Sequence, residues 1–183
     1  MSKMLILFWD YLLKNNIVLS SFIGVLLIIV ESSKLRSAFK EALVLSGAAL
    51  FSLVSAWLFS YFTAANSEFL LYSVYFLNSL IAIYFIKQAG LLQNKWIANL
   101  NKEIIALPAL LGIQFKMTET AVYNYQDLIF ITAAAAGIYL IYLIIAAVKE
   151  QLQLKETKDF FQKEYTLFLV LAFLSAVMAG FNF

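Results

Sequence analysis

The chain contains no cysteine and no histidine among its 183 residues. That excludes disulfides, Cys/His zinc sites, haem held by an axial imidazole and cysteine-ligated iron–sulfur clusters. It also leaves a catalytic triad without its usual base. Charge is scarce as well: Asp, Glu, Lys and Arg make up 13% of the residues, and 13 basic against 11 acidic side chains leave a net charge of +2. A balance so close to neutral gives no electrostatic footprint for nucleic acid. Proline occurs once, at Pro108. No phosphate-binding loop, dinucleotide fingerprint, metalloprotease helix or pair of catalytic carboxylates is present.

What fills the chain instead is apolar: 63% of residues are hydrophobic and 16% aromatic. Ordinary soluble domains are about 45–50% apolar and about 25% charged, and a soluble fold of this length could not hide so much apolar surface. The composition therefore predicts an all-α integral membrane protein, residues 1–183 forming one bundle in a lipid bilayer. At the amino end only Met4 to Trp9 is apolar, too short for a signal-peptide core, so that stretch is expected to be retained.

Apolar runs fall at Ile17–Val30, Ala42–Phe62, Phe69–Ile86, Ile104–Ile113, Leu128–Val148 and Tyr165–Phe181. A span needs roughly 20 residues, so four of these are straightforward and the first and fourth are short. The order short, long, long recurs in two halves, about 1–90 and 91–183. A shift of 88 residues lays Lys14 on Lys102 and Gly24 on Gly112, and a shift of 86 lays residues 45–50 over 131–136. Paired short segments in corresponding positions point to an inverted repeat. The expected fold is thus six transmembrane helices in a three-plus-three inverted repeat, with helices 1 and 4 short or broken. Lys34, Arg36, Lys40, Lys87, Lys95, Lys102, Lys149, Lys155, Lys158 and Lys163 fall in the first, third and fifth loops, against Lys3, Lys116 and arguably Lys14 on the other side. The positive-inside rule then places both termini outside.

Small residues four apart, Ala48/Ser52/Ala56, Ala133/Gly137, Ser175/Ala179 and Ala176/Gly180, mark expected helix-packing faces. Trp57, Tyr61, Trp96, Phe160, Phe161 and Tyr165 suit aromatic belts at the membrane surfaces. The candidate path residues are Asp10, Lys14, Asn15, Asn16, Gly24, Pro108 and Gly112. If helix runs unbroken from Met4 to Val30, Lys14 lies near mid-membrane with Asp10 one turn before it. If the span starts near Asn15, the same residues sit at the outer interface. Gly24 and Gly112 suit either a helix break or a close helix contact. Pro108 removes a backbone donor and crowds the Ile104 carbonyl, so a kink or break is expected there. Asn78, inside the third span, is placed to hydrogen-bond between helices.

The stretch Asn15-Asn16-Ile17-Val18-Leu19, then Phe22-Ile23-Gly24, then Ser32, Lys34, Leu35 and Ala38, resembles the start of the six-helix membrane subunits of the Rnf and Nqr electron-transport complexes, of the RnfA/NqrE type. The resemblance continues through Leu111-Gly112, Ala147-Val148-Lys149-Glu150 with Leu152, and Ala176-Val177-Met178-Ala179-Gly180-Phe181, covering the chain in order. It implies a subunit of an ion-coupled NADH:quinone or ferredoxin:NAD oxidoreductase in a bacterial or archaeal cytoplasmic membrane. Its partner would be an inverted sister six-helix subunit, and the two would share a 2Fe–2S cluster. The positions of the family's two cluster cysteines fall on Leu26 and Pro108. Neither offers a thiolate, so this chain is expected to bind no cofactor alone and to have no catalytic residues of its own. The competing expectations are a small-solute or ion carrier and a redox-inactive scaffold built on the same fold.

Overall fold

The computed structural model describes residues 3–16, 35–63, 68–88, 102–120, 125–154, 169–170, 172–173 and 175–177. Within them every regular element is helical. Helix α1 (Lys3–Trp9) runs into a single π-helical turn (Asp10–Lys14), and α2 (Leu35–Thr63), α3 (Glu68–Gln88), α4 (Lys102–Thr120) and α5 (Tyr125–Leu154) follow. The residues described between 169 and 177 are helical too. Gly24, Leu26, Trp96, Phe160, Phe161, Tyr165, Ala179, Gly180 and the whole run Ile17–Val30 lie outside the described residues.

Among the described residues two helices are long and apolar enough to cross a membrane: α2 over Ala38–Tyr61, mean hydropathy 2.0, and α5 over Gln126–Gln151, mean hydropathy 2.5. At about 1.5 Å per residue, α3 and α4 reach roughly 31 and 28 Å. The side chains turned away from the bundle are large and apolar, among them Leu43, Phe59, Phe76, Leu77, Tyr84 and Phe85. Large exposed apolar side chains of this kind suit a surface in contact with lipid.

Helices α2 and α5 form the most extensive contact, and α3 and α4 pack on α2. Ala42, Ala49 and Leu53 of α2 meet Ile131, Ala134, Ile138 and Ile145 of α5 in one buried core, which extends to Ile83 and Ile86 of α3 and to Leu110 and Ile113 of α4. The small face Ala48/Ser52/Ala56 is buried as expected. Small residues suit this position because lipid supplies no hydrophobic drive between helices, leaving close backbone approach to hold them.

Two interhelical hydrogen bonds set the direction of α2 against α5. Trp57 Nε1 donates to Asp127 Oδ2 at 3.1 Å, and the Tyr142 hydroxyl donates to Glu41 Oε2 at 2.8 Å. As the α2 partner moves from 41 to 57, the α5 partner moves from 142 to 127, so the helices are antiparallel. Phe51 stacks edge-on against Phe85 while Asn78 reaches Ser52, which makes α3 antiparallel to α2. The start of α2, with Lys40, accordingly lies toward the same end as the close of α3, with Lys87, and the close of α5, with Lys149.

One expectation is corrected here. Helix α4 passes through Pro108 without a break, and the fourth segment is a 19-residue helix rather than a short one. Pro108 is exposed and seventh in the helix, so the carbonyl it frees, that of Ile104, lies in the first turns. Leu107 on one side and Ala109 and Leu110 on the other are held against the core. A proline in an apolar helix is tolerated where neighbours fix both flanks. Gly112, half-buried, is likewise within continuous helix.

Because the chain has no cysteine, side-specific labelling needs no background removal. Single variants Lys40→Cys, Lys87→Cys and Lys149→Cys, probed in oriented vesicles with a membrane-impermeant maleimide, should all label from the same side. Lys116→Cys should label from the other.

Candidate functional site

Most of the buried polar side chains among the described residues fall into three places. The first joins α2, α3 and α4. Asn78 Nδ2 faces the Ser52 carbonyl at 3.3 Å, the Ser55 hydroxyl, and Gln114 Oε1 at 3.1 Å. Gln114 Nε2 faces the Tyr75 carbonyl at 3.3 Å, Ser79 Oγ at 2.7 Å and its own helix at Leu110. Each amide nitrogen carries two hydrogens and has three oxygens in range, so both hydrogens are always engaged. Asn78, Ser79 and Gln114 are all buried. The expectation that Asn78 bonds between helices holds. Its partner Gln114 stands one residue past the run Ile104–Ile113 and went unremarked in the sequence, where the available signal was a lone amide four residues past Leu110.

The second place is the pair of carboxylate ties between α2 and α5. Asp127 is 2% exposed although its side chain is polar. It lies in the first turn of α5, where a carboxylate is favoured by the helix dipole. Trp57, expected as a belt residue, spends its indole N–H on that carboxylate. Glu41 and Asp127 went unremarked in the sequence because each stands immediately before an apolar run. A shift of 86 residues carries Glu41 onto Asp127, and a shift of 85 carries Trp57 onto Tyr142. Each helix thus offers a carboxylate near its start to an aromatic donor late in the other.

The third is the N-terminal polar group. Helical backbone ends at the π turn, and Asn15 leaves it with φ −97° and ψ 30°. The alternative of one helix from Met4 to Val30 is therefore excluded. Asn15 closes the turn twice: its backbone N–H donates to the Asp10 carbonyl at 2.8 Å and its side-chain Nδ2 to Asp10 Oδ2 at 2.7 Å. Lys14 is described for its backbone alone. Asn16 is buried and donates to the Leu12 carbonyl at 2.7 Å. It rests on Gly137 of α5, where an added Cβ would collide with the Asn16 amide nitrogen and stand 3.2 Å from its Cγ. Gly137, from the expected packing face Ala133/Gly137, is thus a seat of the N-terminal segment.

The structure brings Asp10, Asn15 and Asn16 together and leaves Pro108 and Gly112 apart from them on α4. No group of three or more His, Cys, Asp or Glu suited to a metal occurs among the described residues. No protein-family model, curated protein or solved structure matches the chain.

Replacing Asn78 by Leu takes a donor from Gln114 Oε1, and replacing Gln114 by Leu takes one of the three oxygens from around Asn78 Nδ2; each change should lower stability by about 1–2 kcal/mol. The double variant should cost less than the two summed, read as a coupling energy in detergent unfolding. Gly137→Val should loosen the N-terminal segment and raise its cleavage by protease, with the helix content of the rest unchanged.

Proposed function

We propose that the chain is a divergent membrane subunit of an Rnf/Nqr-like ion-coupled electron-transport complex, one that serves as a helical frame for an inverted sister subunit. The observation that carries this reading is the reciprocal tie between α2 and α5. Glu41 accepts from Tyr142 and Asp127 accepts from Trp57, and the donors and acceptors exchange under nearly the same shift in sequence. Two segments related by an inverted repeat run in opposite directions and make such exchanged contacts. This supports the three-plus-three arrangement, and the resemblance along the chain supports the kind of complex.

The family's 2Fe–2S cluster does not fit the residues present. Such clusters are held by thiolates, with imidazole as the known replacement, and the chain has neither cysteine nor histidine. Pro108, at one family ligand position, is an exposed ring inside α4. No electron-transfer step is therefore assigned to this chain, and the reading is that of a subunit that keeps the frame without its share of the cluster. A solute or ion carrier would turn polar groups toward a cavity, whereas Asn78 and Gln114 spend their amides on neighbouring helices. The membrane is a bacterial or archaeal cytoplasmic membrane, crossed several times, with both termini outside.

The test is affinity purification of the tagged chain from its native membrane. A homologous six-span protein of opposite lysine bias should co-purify in about equal amount, and iron analysis of the isolated chain should find no bound iron. Purification with no membrane protein of that kind would overturn the proposal.

A further inference from the structure

A hydroxyl inside a helix ordinarily donates to the carbonyl three or four residues back, and those of Ser46, Ser55, Ser60, Ser79 and Thr132 all do so. Ser52 departs from this pattern. Its side chain is fully buried, yet Oγ has no hydrogen-bond partner among the described residues. Ser52 stands fourteen residues past Ala38 and nine short of Tyr61, the bounds of the apolar stretch of α2. At about 1.5 Å per residue it lies roughly 21 and 14 Å from the two ends, far from bulk water. A buried hydroxyl is normally bonded to protein or to an ordered water.

A second polar atom at the same junction is in the same position. Every bond of Asn78 among the described residues runs through Nδ2, one of them to the carbonyl of Ser52 itself. Oδ1, with two lone pairs, accepts nothing there. Turning the amide over would not help, because Oδ1 would then face the Ser52 carbonyl and Gln114 Oε1, both acceptors. The two groups are complementary: Ser52 has a hydrogen to give and Asn78 has lone pairs to fill. The neighbouring side chains are small, with Ala48 and Ala56 one turn either side of Ser52 and Ala82 one turn past Asn78. Asn78 also keeps 5% of its surface accessible, so a water-sized molecule reaches it.

The chemistry of the junction selects among ligands. Ser52, Ser55, Asn78, Ser79 and Gln114 include no carboxylate, and a cation would meet the amide hydrogens of Asn78 and Gln114 with no counter-charge. An apolar ligand would leave Ser52 and Asn78 as they are. A water molecule both accepts and donates, and buried waters are held by about three hydrogen bonds to such groups.

We propose that the junction of α2, α3 and α4 holds one buried water, which accepts from Ser52 Oγ and donates to Asn78 Oδ1. It joins α2 to α3 beside the direct bonds of the Asn78 amide. The proposal rests on the neutral polar junction and not on the identity of any complex.

The test is magnetisation transfer from water to side-chain amides in the whole chain, isotope-labelled at asparagine and held in micelles. The Asn78 amide, identified by its loss in Asn78→Leu, should show a rotating-frame Overhauser cross-peak to water with the sign of direct contact rather than of hydrogen exchange. In Ser52→Ala that cross-peak should be lost. No cross-peak in the unsubstituted protein overturns the proposal, and this measurement depends on no variant folding. An undiminished cross-peak in Ser52→Ala overturns it as well, because the hydroxyl would then not hold the water. Disappearance of the cross-peak on addition of sodium chloride would mark a cation site and overturn it too.

Discussion

The antiparallel pairing of α2 with α5 is the constraint on which the rest of the bundle depends. In water, burial of apolar surface would press these helices together in any of several registers. In lipid that drive is absent, because the hydrocarbon tails are as apolar as the side chains. Register is then left to the shape of small residues and to the few polar bonds. The Trp57–Asp127 and Tyr142–Glu41 bonds stand sixteen residues apart on α2 and fifteen on α5, so they tie the pair near both ends. A slip by one turn would break both. The alanine-rich surfaces between them then meet closely enough for dispersion contacts to accumulate.

The remaining helices attach to the two sides of this pair. On the α2 side, Asn78 and Gln114 join α3 and α4 through a network in which every amide hydrogen has an acceptor. Such a network favours one arrangement because any rearrangement strands several groups together. On the α5 side, Gly137 leaves space for Asn16, whose side-chain amide donates to the Leu12 carbonyl near the end of the first helix. Glycine is required there by the close approach of a side chain and its backbone, not by any unusual dihedral angle.

Much of the framework was legible in the chain. Ala48/Ser52/Ala56 and Ala133/Gly137 were readable as contact faces because small residues at helical spacing have one physical use in an apolar helix. Asn78 was readable as an interhelical bond for the matching reason, that an amide surrounded by apolar residues needs a partner. Pro108 misled, since the rule for proline concerns an isolated helix, and α4 is held on both sides of the ring by its neighbours. Glu41 and Asp127 were passed over because at the edge of an apolar run a carboxylate reads as an ordinary membrane-surface charge. Burial of Asp127 depends on where Trp57, seventy residues away, comes to lie.

Composition and apolar periodicity by themselves determined that the chain is helical, that its apolar stretches are too many for a soluble core, and that no thiolate or imidazole chemistry is open to it. These follow from residue counts and spacings along one helix, which the chain carries locally. Tertiary structure alone decided which polar residues meet, that α4 survives its proline, and how deep the N-terminal asparagines sit. Each of those depends on the relative placement of segments far apart in the chain, and that placement is set by side-chain bonds between helices that no local spacing encodes.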